Sequence, residues 1–266
     1  MTFWAAFRQS YALAWRFMLA LPILAAVAIG FEGLQHVVEY SSGMYVSSAR
    51  MHAEANDPAR MIAGVLKVGW LLILQYWVTR FAVSGSAKTT LARDAIAIRK
   101  FAWFFAFSAV IELVLLFLPG VLSDAGVARR WSAVSGLILA IATLPLGPFL
   151  IPWAVGAALG DPRASPMFSF RRTPGSILWA IALGVATSLP ILIVHYAFGY
   201  GAVGRSPAFT VGLLSVDAVL VSFMGVVFIT SQVLIAERMA GRAGDRLSCG
   251  PFEHGDGSNS PGSPPV

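Results

Sequence analysis

Six long apolar runs constrain this chain more than any other feature of its sequence. Each run holds about 20 residues or more, and a helix of that length spans a hydrocarbon core about 30 Å thick. Backbone inside lipid must form a helix or a closed barrel, and the continuous apolarity excludes the alternating pattern of a barrel. We therefore predict an all-α, polytopic integral membrane protein with a six-helix transmembrane bundle. The runs are Phe17–Val38, Met61–Val83, Phe101–Leu122, Val134–Leu159, Ser176–Phe198 and Ala208–Ala236.

The composition agrees with a membrane protein. Charged residues make up 12% of the chain, against about 25% in soluble domains. The net charge of +6 comes from basic residues in short segments beside the apolar runs. This placement is typical of topology signals and contacts with lipid phosphates. We expect membrane lipids, anionic ones above all, as partners, together with possible membrane-protein partners and no nucleic acid.

The placement of the basic residues predicts the orientation. Of the 19 Lys and Arg residues, 13 fall on the side that also holds both termini, and 6 fall on the other side. Because cytoplasmic loops carry the excess of Lys and Arg, we predict a multi-pass protein of the inner (plasma) membrane with both termini in the cytoplasm.

The chain divides into three predicted segments. Residues 1–16 place aromatic side chains at helical spacing and form an interfacial amphipathic helix. The alternative is a signal peptide with an apolar core at Phe17–Phe31. Residues 17–238 form the six-span domain. Residues 239–266 are rich in Gly, Ser and Pro and are predicted to be a disordered cytoplasmic tail.

Glu112 lies alone in the middle of the third apolar run. An ionised carboxylate at the centre of a membrane helix costs at least about 2.5 kcal/mol. No basic residue lies at the same depth, so we expect a neutral, protonated carboxyl. We predict that Glu112 faces the bundle interior near the fourth run and donates a hydrogen bond to a free carbonyl there.

The fourth run contains an unusual group of helix-breaking residues. Prolines remove backbone donors and disfavour helical geometry in the residue before them. One interpretation is a discontinuous helix around a binding site, as in transporters. The other is a kinked helix with a purely architectural role. The motif Gly156–Gly160 that follows has the GxxxG spacing of close helix packing. The helix-breaking residues of the fourth run are Pro145, Gly147, Pro148 and Pro152.

Other polar residues lie within the apolar runs. Glu32 and Lys67 are at similar depth on the first two runs, where they either pair or reach separately towards the interface. Asp217 lies near the depth of Glu112 if the last span begins at Ala208, or else merely marks the interface. We expect His195 to be an interfacial polar residue rather than a metal ligand.

Enzyme signatures are absent from the sequence. It contains no HExxH and no GxSxG motif, and its four histidines are scattered. We predict no catalytic residue, cofactor or metal. The first hypothesis is a non-enzymatic module that binds or organises lipids or partner proteins in the cell envelope. The alternative is a small transporter that uses Glu112 beside the broken fourth helix, and an intramembrane enzyme is third.

Two stretches resemble a bacterial membrane-protein family. SFRRTPGSILW at Ser169–Trp179 and AFRQSYALAWRFMLALPILA near the N-terminus are similar to the membrane domains of glycerophosphoryl diester phosphodiesterases and their stand-alone relatives of the YciC type. The chain departs from that pattern at MGVVFITSQVLIAERMAG. The resemblance implies a six-helix inner-membrane module, and the catalytic domain is missing, so it implies no phosphodiesterase activity.

Arg171 and Arg172 lie inside the first of these stretches. They precede a predicted helix start at Thr173–Pro174, and paired guanidinium groups at a helix N-terminus suit an anion. A lipid phosphate is the natural occupant at a membrane surface. The alternative is that both arginines are ordinary cytoplasmic anchors.

Overall fold

The computed structural model describes residues 1–128, 131, 134, 135, 138 and 146–249. This described part consists of helices and their connections, without a strand. Ten α-helices have described bounds. They are α1 Phe3–Ala20, α2 Pro22–Ser41, α3 Ser48–Ala53, α4 Pro58–Ser84, α5 Ala87–Leu91, α6 Ala95–Asp124, α7 Leu146–Leu159, α8 Pro166–Arg172, α9 Ile177–Ala202 and α10 Pro207–Arg242.

Five of these helices, α2, α4, α6, α9 and α10, are long and apolar enough to cross a membrane. The fourth predicted span, Val134–Leu159, has a helix with described bounds only from Leu146, and most of its first half lies outside the described residues. The all-helical, multi-pass prediction is therefore confirmed at the level of five candidate spans.

Helix α10 is the centre of the bundle. In its most apolar window 61% of residues are buried, against 17–33% in the other four candidate spans. Helices α1, α2, α4, α7 and α9 all pack against it. Small residues allow the close approach: a Cβ on Gly225 would lie 2.9 Å from a methyl carbon of Leu71 on α4. Any feature on α10 is thus in reach of most of the bundle.

The first two helices differ from the predicted boundary at residue 16. Helix α1 runs through that position to Ala20, and the break comes at Leu21, whose φ of −131° and ψ of 58° leave the helical region. Pro22 explains the break, because it lacks an N–H and suits the first position of a new helix. One face of α1 packs on α10, where the Thr230 hydroxyl donates to the Ser10 carbonyl oxygen at 2.9 Å.

Different segments of the chain meet at the two ends of the bundle. The Arg238 Nη1 atom lies 3.5 Å from the Met1 carbonyl oxygen, so the N-terminus and the end of α10 share one end, here called the termini end. At the opposite end, the Gly204 N–H donates to the Tyr45 carbonyl oxygen at 2.9 Å. We call this the loop end.

The proline-rich segment is helical from Leu146 onwards. Side chains of α8 and of the residue that follows it form hydrogen bonds with the backbone of this segment. Pro152 lacks the N–H that would bond to the Pro148 carbonyl oxygen. The Thr173 hydroxyl lies 3.3 Å from that oxygen and shares its hydrogen between it and the Ser169 carbonyl oxygen at 2.8 Å. The Ser169 hydroxyl accepts from the Trp153 N–H at 3.1 Å. These bonds favour the architectural interpretation of Pro148 and Pro152, and Pro145 lies outside the described residues.

Two other sequence predictions are wrong in detail. The helix predicted to start at Thr173–Pro174 starts at Ile177, because Thr173–Ser176 forms a turn with Gly175 at a φ of +81°. The tail predicted from residue 239 begins inside α10, whose helix runs to Arg242. Leu247 then packs against the core, and residues 250–266 lie outside the described part.

The Thr173 hydroxyl should stabilise the kinked helix measurably. We predict that Thr173→Val lowers the free energy of unfolding by about 1–3 kcal/mol, the cost of an unsatisfied buried acceptor, because the Pro148 carbonyl loses its donor. Thr187→Val is the matched control: this buried hydroxyl donates only to carbonyls of its own helix. Thermal unfolding in detergent measures both, and equal losses would contradict this role for Thr173.

Candidate functional site

A chain of ionisable side chains joins four helices towards the loop end of the bundle. Helix α2 carries Glu32, His36 and Glu39 at spacings of four and three residues, so all three lie on one face. All three are buried, with exposed fractions of 2%, 6% and 4%. We call this chain the ionic network. Its members are Glu32, His36 and Glu39 on α2, Arg60 and Lys67 on α4, His195 on α9 and Asp217 on α10.

Asp217 is the link between α2, α9 and α10. Its side chain is fully buried. One carboxylate oxygen lies 3.1 Å from His36 Nε2 and 2.8 Å from His195 Nδ1. Asp217 is ten residues after Pro207, the start of α10, or about 15 Å along the helix. Asp217 is therefore a buried member of the network that holds two imidazoles, and both predicted membrane depths remain compatible with this position.

Glu32 and Lys67 form the pair that the sequence allowed. The Lys67 Nζ atom lies 3.2 Å from Glu32 Oε2 and 3.3 Å from Oε1. Glu32 also lies 3.8 Å from His36 Nε2, so the pair is the α4 end of the network. The Lys67 ammonium group offsets the charge of the buried Glu32 carboxylate, which would be unfavourable alone within a membrane.

Glu39 is held by donors from three sides. Arg60 Nε lies 2.8 Å from it, the Tyr45 hydroxyl donates at 2.7 Å, and the Gln35 amide donates at 2.9 Å. Burial, and then the nearby Glu39 carboxylate, raise the pKa of Tyr45 far above its ordinary value. The phenol thus stays protonated and remains a donor to Glu39.

Sequence reasoning missed four residues of this site and its surroundings, and it missed the pairing of His195 with Asp217. The four residues are His36, Glu39, Arg60 and Tyr45. The signal was present in part. Within EGLQHVVE, polar residues recur every three or four positions, which places one polar stripe on a helix that is otherwise apolar. No sequence pattern indicated that Asp217, far along the chain, would meet that stripe.

Two cavities lie around α7, towards the middle of the bundle. The first has a volume of about 450 Å³ and is almost entirely apolar, between α7, α9 and α10. The second, of about 380 Å³, lies between α4, α6, α7 and α10 and contains Glu112. The lining residues that both cavities share are Gly147, Ile151, Phe228 and Gln232.

Glu112 lies on the wall of the second cavity rather than in a packed interior. Its side chain is exposed in the isolated chain. Ser108 and Gln75 line the same cavity, and the Gln75 amide donates to Gln232 at 2.6 Å. The predicted hydrogen bond to a free carbonyl is absent from the described part of the chain, where Thr173 takes the Pro148 carbonyl.

Arg171 and Arg172 lie in the last turn of the short helix α8 at the termini end, and the turn Thr173–Ser176 separates them from the start of α9. Arg172 binds the Asp245 carboxylate and stacks over the Phe168 ring at 4.4 Å, whereas Arg171 is exposed. The hydrogen bond from Arg172 is the largest cause that lowers the pKa of Asp245, so this carboxylate stays ionised. The two arginines therefore differ in availability.

The described residues contain no group of three or more His, Cys, Asp or Glu side chains placed to hold a metal ion. Comparisons with protein-family models, curated proteins and solved structures found no match for this chain. The helices and their buried charges define a class: a multi-pass helical membrane protein with an ionic network inside its bundle.

The Glu32–Lys67 pair gives a direct test of the network. We predict that Lys67→Met destabilises the protein by about 1–2 kcal/mol, because Glu32 keeps its burial but loses its cation. This is less than the about 3–5 kcal/mol of a fully buried pair, because 21% of the Lys67 side chain is exposed. Lys88→Met, at an exposed site on α5, should change little. Chemical unfolding in detergent compares the two, and indistinguishable variants would contradict the pairing.

Proposed function

We propose that this protein is a non-enzymatic membrane module that binds lipid, with the first cavity as the site of an acyl chain. The cavity is the observation that carries the proposal. Its volume of about 450 Å³ lies in the range of about 300–1,000 Å³ that is typical of ligand sites. Its polar lining is limited to Ser188, Ser231 and Gln232. An acyl chain has no hydrogen-bonding groups to satisfy, so it suits such a wall.

The termini end supplies the polar part of the proposal. We propose six spans with both termini in the cytoplasm of an inner (plasma) membrane, where anionic headgroups face the basic residues. The exposed Arg171 is the available headgroup contact, and Arg172 lies beside it. Exposed Trp4 and Trp15 on α1 fit an interfacial position, since indole rings prefer the headgroup level. Organisation of partner membrane proteins through the same lipid is part of this role.

Gly184 gives a way to fill the cavity without disturbing helix packing. A Cβ at Gly184 meets no atom within 4 Å, and this residue lines the first cavity. We predict that Gly184→Leu folds but loses most of the lipid that co-purifies with the protein, because the leucine occupies the space of the acyl chain. Native mass spectrometry of protein extracted from membranes measures the retained lipid.

Gly199→Leu is the matched control on the same helix. Its Cβ also meets no atom within 4 Å, and Gly199 lines neither of the two cavities. We expect this variant to retain lipid as the unaltered protein does. Equal retention by both variants would contradict an acyl-chain site in the cavity.

A transporter that uses Glu112 is the second candidate function. The observation that favours it is the second cavity, where a carboxyl group, Ser108 and the Gln75–Gln232 pair meet beside α7. Ionisable groups that face a cavity within a membrane bundle are typical of proton and substrate pathways. In this alternative Glu112 carries the proton that is coupled to solute movement.

Liposomes loaded with a pH-sensitive dye test the alternative. The transporter alternative predicts that at least one solute in a panel of amino acids, sugars and organic cations speeds the decay of an imposed pH gradient. Glu112→Gln should abolish this effect, because an amide cannot carry the proton. Glu237→Gln, at an exposed position near the end of α10, is the control that keeps it. If no solute in the panel affects the gradient, the transporter is excluded for these classes.

A further inference from the structure

We propose that the ionic network is a proton-binding site, and that a proton held on His36 joins α2 to α10. The proposal starts from the surroundings of one ring. His36 Nδ1 is hydrogen-bonded to Glu39 Oε2 at 3.2 Å. Nε2 lies 3.1 Å from Asp217 Oδ2, an ion-pair distance at which the ring N–H is not aligned for a hydrogen bond. An ionised carboxylate only accepts hydrogen bonds. A proton on each ring nitrogen makes the ring an imidazolium, which gives both carboxylate contacts the attraction of opposite charges.

Counting the charges of the ionic network also indicates one additional proton on His36. The network holds three carboxylates, from Glu32, Glu39 and Asp217, and two basic side chains, from Arg60 and Lys67. One carboxylate is left without a cation, and a buried charge without a partner is strongly unfavourable. A single proton on His36 brings the network to neutrality.

The groups that face His36 come from each element packed around it. Glu32 and Glu39 face it from α2 itself, and Asp217 faces it from α10. Further out, Lys67 and Arg60 of α4 neutralise the two glutamates. His195 of α9 lies against Asp217, and the phenol of Tyr45 donates to Glu39.

The two histidines of the ionic network differ in their exposure. The His195 side chain is 28% exposed, whereas the side chains of Asp217 and His36 are 0% and 8% exposed. Contacts of 2.8 Å and 3.1 Å connect His195 to His36 through Asp217. His195 is thus the more exposed of the two imidazoles that flank Asp217, and His36 is the site where the proton is held.

Loss of this proton would place the lone pair of a neutral imidazole against a carboxylate. With the lone pair towards Asp217, the contact between α2 and α10 would change from attraction to repulsion. With the lone pair towards Glu39, the repulsion would lie within α2 itself. The network therefore couples the proton concentration at the loop end to the packing of α2 on the central helix. This property is separate from lipid binding and from transport through Glu112.

Nitrogen-15 NMR of histidine-labelled protein in nanodiscs tests the proposal. The chain has four histidines, and His→Gln variants assign their signals. At neutral pH we expect both ring nitrogens of His36 to be protonated. A folded protein in which His36 carries a single ring proton would overturn the proposal.

Asp217→Asn is the decisive variant. It removes one of three carboxylates, so the two cations suffice and His36 should become a neutral ring at the same pH. Glu54→Gln is the control, because this carboxylate pairs with Arg50 at 3.1 Å outside the network and should leave His36 unchanged. A doubly protonated His36 in folded Asp217→Asn would also overturn the proposal. If that variant does not fold, the His36 signals of the unaltered protein decide the question alone.

Discussion

Polar groups that lose water inside a membrane must find partners within the protein, and this constraint shapes each notable part of the bundle. An unsatisfied group costs several kcal/mol in hydrocarbon. Where Pro152 frees the Pro148 carbonyl, Thr173 supplies a hydroxyl from a neighbouring segment. Where Asp217 is buried completely, two imidazoles surround it. The same need for a hydrogen-bond partner accounts for the contact of Thr173, which follows the short helix α8, with α7.

Helix α10 brings these parts together. Asp217 belongs to the ionic network, Phe228 and Gln232 line the cavities, and Arg242 donates to the Gly175 carbonyl oxygen at 2.7 Å near the termini end. The lipid site and the proton site proposed above therefore share one structural element while they use different residues.

Much of this architecture follows from the sequence through hydrophobicity alone. Long apolar runs predict membrane helices because burial of backbone in lipid leaves few alternatives. The Glu32–Lys67 pair was predicted as one of two alternatives, since depth along a helix can be counted. Glu112 was placed correctly within a long apolar helix, but its side chain lines a cavity wall rather than a packed interior. Counting residues gives depth, and it gives no information on rotation about the helix axis.

The sequence by itself determined the class of protein and the residues that are costly to bury, because both depend on local composition. The tertiary structure alone decided the partners. Asp217 meets His36 and His195 only because α10 packs between α2 and α9. Arg172 binds Asp245 only because the chain after α10 returns to α8. Such contacts join positions far apart in the chain, and helix packing, rather than sequence spacing, sets their geometry.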